Sequence, residues 1–166
     1  MNKTIRFQNV VAWHKKLHES DRRSLKATLK RCKTTAEICL HSEYVNLVQT
    51  LEAKPKTELT LLAGVLAHVK PAVELEEEQK LPTIAEQMAK LRQGRVIISP
   101  IRFRQLLACK NNDKLLRMLI RIVPRVDYFN ITDFAKSIYF WNIHTKKQWA
   151  FNYYRNLPAE NVANGE

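Results

Sequence analysis

The sequence predicts an all-α protein made of two small helical bundles joined by an acidic linker, and three observations carry that expectation. Apolar side chains recur at three- and four-residue intervals through most of the chain, the spacing of one helix face. Only 3 glycines and 6 prolines occur in 166 residues, too few for a turn-rich β-protein, while 45% apolar content suffices for a core. The charge is unevenly spread: residues 1–33 hold 10 basic and 2 acidic side chains, 34–91 hold 5 and 9, and 92–166 hold 13 and 5. The corresponding nets are +8, −4 and +8, as expected of two basic lobes over 1–70 and 83–157, an acidic linker over 71–82 and a disordered tail over 158–166.

The elements follow in order. Over 5–18, Phe7, Val10, Val11, His14 and Leu17 line one face of a first helix. Ser20 is placed to cap a second, with Leu25, Leu29 and Cys32 inward and Arg22, Lys26, Lys30 and Lys33 forming a continuous cationic face. Thr35 can cap a third helix carrying Tyr44, Leu47, Val48 and Leu51. Thr57 can cap a fourth, in which Leu59, Leu61, Leu62, Val65, Leu66 and Val69 leave almost no polar side, so it belongs at the centre of the first lobe. Glu74, Glu76, Glu77 and Glu78 between Pro71 and Pro82 read as the exposed linker.

Beyond the linker, Thr83 starts a helix with Ile84, Met88 and Leu91 inward, closed by Gly94, before a short extended piece over 96–98. Ser99-Pro100 gives a cap followed by proline at the first helical position, opening a helix with Phe103, Leu106 and Leu107 that Asn111 to Asp113 breaks. The next buries Leu115, Leu116, Leu119, Ile120 and Val123 and carries Lys114, Arg117, Arg121 and Arg125 on its other side. Two aromatic-rich helices, over 132–142 and 146–156, carry Phe134, Ile138 and Trp141, then Trp149, Tyr153 and Tyr154; rings at this spacing are more often core than free to stack on bases, the alternative use of such a set.

The composition bounds the function. A formal net charge of +12 favours a polyanionic partner and disfavours an acidic scaffold. Three cysteines, Cys32, Cys39 and Cys109, cannot all pair within one chain, and no charged stretch followed by an apolar segment opens the sequence, so a reducing, cytoplasmic compartment is expected. The longest apolar runs, such as 138–141, fall far short of the roughly 20 residues that span a bilayer.

Catalytic and metal chemistry find little support. His14 and His18 stand four apart, as in metal-binding helices, but His14 lies in the apolar stripe, so packing and surface roles are expected. Cys32, Cys39 and His41 lack the paired-cysteine spacing of structural zinc sites, and the two cysteines read as buried thiols. No glycine-rich phosphate loop is possible with glycine only at 64, 94 and 165. A metal-dependent nuclease would need converging carboxylates, whereas Asp113, Asp127 and Asp133 fall where helix starts and turns put them. No cofactor is called for. The two cationic helix faces suit spaced phosphates and carry no base-reading code, which points to sequence-independent contact. A free-standing helical DNA-binding regulator is the competing reading, and it would need a recognition helix and half-sites.

A family resemblance sharpens this. Gly94-Arg95, Ile101-Arg102-Phe103-Arg104-Gln105-Leu106-Leu107, the run over 115–121, Pro124-Arg125-Val126-Asp127-Tyr128, Phe140-Trp141 and Lys146-Lys147-Gln148-Trp149 resemble the CasB family, the small subunit of the type I-E CRISPR surveillance complex Cascade. Trp13, the leucine–lysine run over 25–31 and the segment 44–48 resemble its early part. The resemblance implies an all-helical, two-lobed, non-catalytic protein, paired head-to-tail with a second copy beside the other Cascade subunits. Its basic face would guide the displaced non-target DNA strand and steady the guide RNA–target DNA duplex. By position in matching segments, Arg31, Arg102, Arg117 and Lys146 correspond most closely to the family's DNA-facing residues, followed by Lys30, Lys56, Arg104, Lys110, Arg121 and Lys147.

Overall fold

A computed structural model describes residues 4–71 and 81–159; the acidic run of Glu74 to Glu78 and positions 160–166 of the expected tail lie outside them. Among the described residues the chain forms ten α-helices and one small antiparallel hairpin. A 3-10 turn, Phe7–Asn9, leads into α1 (Val10–Leu17); Phe7, Val10, His14 and Leu17 are buried as expected, but Val11 is exposed and Trp13 takes the inward place instead. A second 3-10 turn, Ser20–Arg22, leads into α2 (Arg23–Arg31). No side chain caps either of these two elements, so Ser20 does not take the expected role. Of the expected inward stripe only Leu29 is buried; Leu25 is exposed and Cys32 half-buried.

The expected third helix is two. α3 (Thr35–Cys39) stops at Leu40, and α4 (Ser42–Thr50) restarts from His41, whose Nδ1 accepts from the backbone N–H of Glu43. The cap of α3 is Thr34, which accepts from the Glu37 N–H. Thr35 is instead bound to Asp113 of a distant helix.

α5 (Thr57–Leu66) is buried at every position from Leu59 to Leu66, the outcome its apolar sequence predicts, although Lys56 rather than Thr57 holds the cap position and no side chain closes it. Helix α5 packs on α3 and α4 and also on two later helices, α8 (Asn112–Ile122) and α9 (Ile131–Tyr139), while α1 packs on α4 and α9. The helices on either side of the acidic run thus lean on each other through a shared set of buried side chains. Gly64 permits this approach, because a β-carbon there would meet Ile38 and lie 2.9 Å from Leu116 Cδ1.

α6 (Ile84–Met88) opens with the capping box expected of Thr83, completed by Glu86, but it is short. The chain then turns through β1 (Leu91–Arg92) and β2 (Arg95–Val96), with Leu91 opposite Val96 and Arg92 opposite Arg95. Gln93 and Gly94 sit at φ 53° and 74°, the pair of left-handed residues that a two-residue hairpin turn demands. Gly94 therefore makes a turn and does not close the helix, and Leu91 is exposed on a strand.

α7 (Pro100–Leu107) begins as its sequence says, Ser99 accepting from the Arg102 N–H with proline at the first position. Asn111, Asn130 and Asn142 cap α8, α9 and α10 (Ile143–Asn156) in the same way. Pro124 ends α8 in a 3-10 turn, Val123–Arg125. Phe134, Ile138, Trp149 and Tyr153 are buried as expected, whereas Trp141 is half-buried and Tyr154 exposed; Tyr153 stacks on Phe103 at 3.8 Å and its hydroxyl donates to the Ile98 carbonyl at 2.6 Å. Of the cysteines only Cys109 is buried; Cys32 is half-buried and Cys39 exposed, so the expectation of buried thiols is met at neither of the two for which it was made.

Candidate nucleic-acid interface

Helical geometry decides which cations are available. Four were expected along α2, but Arg22 donates to Glu43 at 2.8 Å and Lys26 Nζ lies 3.2 Å from His18 Nδ1. That cationic face is therefore interrupted, and Lys30 and Lys33 are its exposed remainder, with Arg31 beside them. The ring of His68 lies near Lys30 and Lys33; burial, with those two ammonium charges adding to it, pulls its pKa down to about 4 and keeps it neutral.

Helix α8 turns Leu115, Leu116, Leu119 and Ile122 inward, which leaves Lys114, Arg117 and Arg121 exposed on its outer side. Helix α7 buries Phe103 and Leu106 and leaves Arg102 and Arg104 exposed. Where the two meet, Arg102, Arg121 and Arg125 line one groove of about 350 Å³ with Gln105, over an apolar floor of Ile98, Met118 and Ile122. No carboxylate lines it. Three guanidiniums around a concavity offer fork-shaped donors to successive phosphate oxygens at little cost in desolvation.

The structure thus brings Arg102 and Arg121 together and adds Arg125, which sequence reasoning placed on the α8 stripe, four beyond Arg121, without assigning it to the binding set. Gln105 carried no signal. Arg104, Lys110 and Arg117 are exposed on α7, the loop that follows it and α8, outside the groove lining. Lys56 stands elsewhere, its ammonium 5.9 Å from the Tyr139 ring, at a shallow depression shared with Thr35, Cys39 and Tyr44. Lys146 is half-buried with its ammonium 5.9 Å from the Trp141 ring, while Lys147 lines a third concavity between α9 and α10. Among the described residues none of the ten sequence-predicted cations makes an ion pair, whereas Arg22, Arg92 and Arg155 each do.

His14 and His18 pack as expected, their Nε2 atoms 3.1 Å apart and His14 Nε2 3.0 Å from the Val69 carbonyl. Among the described residues no group of three or more His, Cys, Asp or Glu side chains is placed to hold a metal ion, and no helix is long and apolar enough to cross a membrane.

No curated protein matches the chain in sequence. Among solved structures, the chain resembles one in the crystal structure of E. coli Cascade bound to a PAM-containing dsDNA target, at a TM-score of 0.67 and 16% identity over 93% of this chain and 97% of that one. At that identity the likeness concerns the fold. The family model for CRISPR-associated protein Cse2 matches residues 25–154, which span α2 to α10 and every sequence-predicted cation. The chain belongs to the CRISPR-associated Cse2 family.

Proposed function

We propose that the chain is a non-catalytic subunit of a type I-E Cascade complex, working beside the other Cascade subunits, that holds nucleic-acid backbone through its basic helix faces and so stabilises the R-loop and the displaced DNA strand. The observation that carries this reading is the groove between α7 and α8, where Arg102, Arg121 and Arg125 converge without a carboxylate. The family and the likeness to a chain of a DNA-bound Cascade structure support the setting.

The energetics fit. Exchanging a DNA duplex for an RNA–DNA heteroduplex is close to balanced, so a few phosphate contacts on the displaced strand tip it open. Each phosphate neutralised on a single strand contributes about 0.7 to the log–log dependence of affinity on salt. In a particle assembled with the Arg102→Glu, Arg121→Glu double variant, target-DNA affinity is expected to fall and the salt slope to become shallower by about 1.4. Unchanged affinity and slope at low salt, with the variant present in the particle and its circular dichroism intact, would refute the reading.

A further inference from the structure

The concavity between α9 and α10 differs in chemistry from the arginine groove. It is larger, about 660 Å³, within the range of small-molecule pockets, and eight of its ten lining residues carry polar or charged side chains. Two lysines enter it from facing helices, Lys136 from α9 and Lys147 from α10, with His144 beside them. Trp149 and Phe151 are its apolar lining side chains. Trp149 is buried and forms wall, whereas the Phe151 ring is 64% exposed. The guanidinium of Arg155 lies 5.2 Å from the Phe151 ring centroid and is itself tied to Glu86 at 3.1 Å, which fixes the ring beside a cation.

A backbone-only contact has no use for an exposed phenyl ring, and the core of a protein-docking surface is depleted of charged side chains such as Lys136, Lys147 and Asp133. An open aromatic face flanked by lysines matches a third kind of ligand, an unpaired nucleotide, whose base stacks and whose phosphate pairs. Asp133, also in the lining, repels phosphate and so confines it to the lysine side, leaving the carboxylate to accept from base amino or imino donors.

We propose that this concavity binds an unpaired nucleotide of a single strand, with its base on Phe151 and its phosphate between Lys136 and Lys147. The proposal rests on the nucleic-acid reading above and refines it: α7 and α8 hold backbone, while α9 and α10 hold a base.

The test uses the purified full chain, an oligothymidylate and an abasic oligonucleotide of the same length. Phe151→Leu keeps apolar bulk on an exposed position and removes the ring. It is expected to lower affinity for oligothymidylate about tenfold and to bring the preference for it over the abasic strand close to one. Lys147→Ala should weaken both probes. An unaltered preference in Phe151→Leu, or equal losses on the two probes, overturns the proposal. So does failure of that variant to enter the Cascade particle while its oligothymidylate binding is unchanged, which would make the surface a protein contact. Arg102→Glu with Arg121→Glu, weakening both probes, reads the backbone groove separately; if that pair changes nothing while Phe151→Leu removes the preference, the groove reading fails and this one stands. A wild-type chain that binds neither probe overturns both.

Discussion

The carboxylate of Asp113, in the first turn of α8, accepts both the backbone N–H and the hydroxyl of Thr35 in the first turn of α3, at 2.8 and 2.9 Å. One helix thus satisfies the free N-terminal donors of another across 78 residues of sequence. The Thr35 backbone bond, with its hydroxyl and the Arg117 charge adding, holds the Asp113 carboxyl below its ordinary value of 3.8. Asp113→Ala is expected to cost about 1 kcal/mol at neutral pH, the usual worth of a helix cap. Because the folded pKa is depressed, this contribution is complete above the ordinary value and disappears as pH falls through the lower folded one. Urea titrations should therefore show wild type and variant separated at pH 7 and converging in acid; a gap that persists below both pKa values would trace the effect to packing.

Arg22 and Glu43 predict an asymmetry. The Glu43 side chain is 2% exposed, with Arg22 at 2.8 Å and the Asn46 amide at 3.3 Å, whereas Arg22 is 29% exposed. Removing the arginine strands a buried charge; removing the charge returns a guanidinium to water. Arg22→Met is expected to cost about 3 kcal/mol and Glu43→Gln about 1 kcal/mol. Equal costs in denaturant melts would show that the pair acts by shape alone. The same pair explains why α2 presents fewer free cations than its periodicity promises.

What was legible in the sequence was what neighbours in sequence decide. The all-buried α5, the Ser99-Pro100 start, the Thr83 cap and the α8 stripe all follow from spacing and local hydrogen bonding. Two of the exceptions arose where a distant residue supplied the competing partner. Thr35 is bound by Asp113, and Arg22 by Glu43, so neither behaves as its local pattern says. Gly94 fits a helix end and a hairpin equally well, since both need a left-handed residue; the left-handed Gln93 before it settles the hairpin. The cations themselves were legible, but their grouping was not. Arg102 and Arg121 meet only because α7 and α8 fold together, and Phe151 drew no notice because helical spacing cannot separate a buried ring from an exposed one.

Gly64 tests the contact between the helices before and after the acidic run. An alanine there gains about 1 kcal/mol of helix propensity but presses on Ile38 and Leu116, both fully enclosed, and overpacking of that kind costs about 1–3 kcal/mol. Gly64→Ala is expected to be destabilising on balance. Ile38→Val removes the methyl group that the new β-carbon meets, so the double variant should be more stable than the sum of the two single effects. A purely additive cycle would show that Ile38 yields without cost.

His14 gives the fold a dependence on pH in the mildly acidic range. Its ring is buried in α1 with Nε2 at the Val69 carbonyl, and burial pulls its pKa from 6.5 down to about 4, the nearby His18 and Lys26 charges adding to the shift against that carbonyl. The unfolded chain takes up the proton that the folded one refuses, so stability is full above 6.5 and falls as pH drops towards about 4. At pH 5 the loss from this ring is about 2 kcal/mol. His68, also held at about 4 by burial, contributes in the same direction. His14→Gln keeps an N–H for Val69 and cannot titrate, so its melting temperature should fall less than that of wild type between pH 7.5 and 5. If the two curves fall in parallel, the proton enters elsewhere and the His14 ring is not the sensitive group.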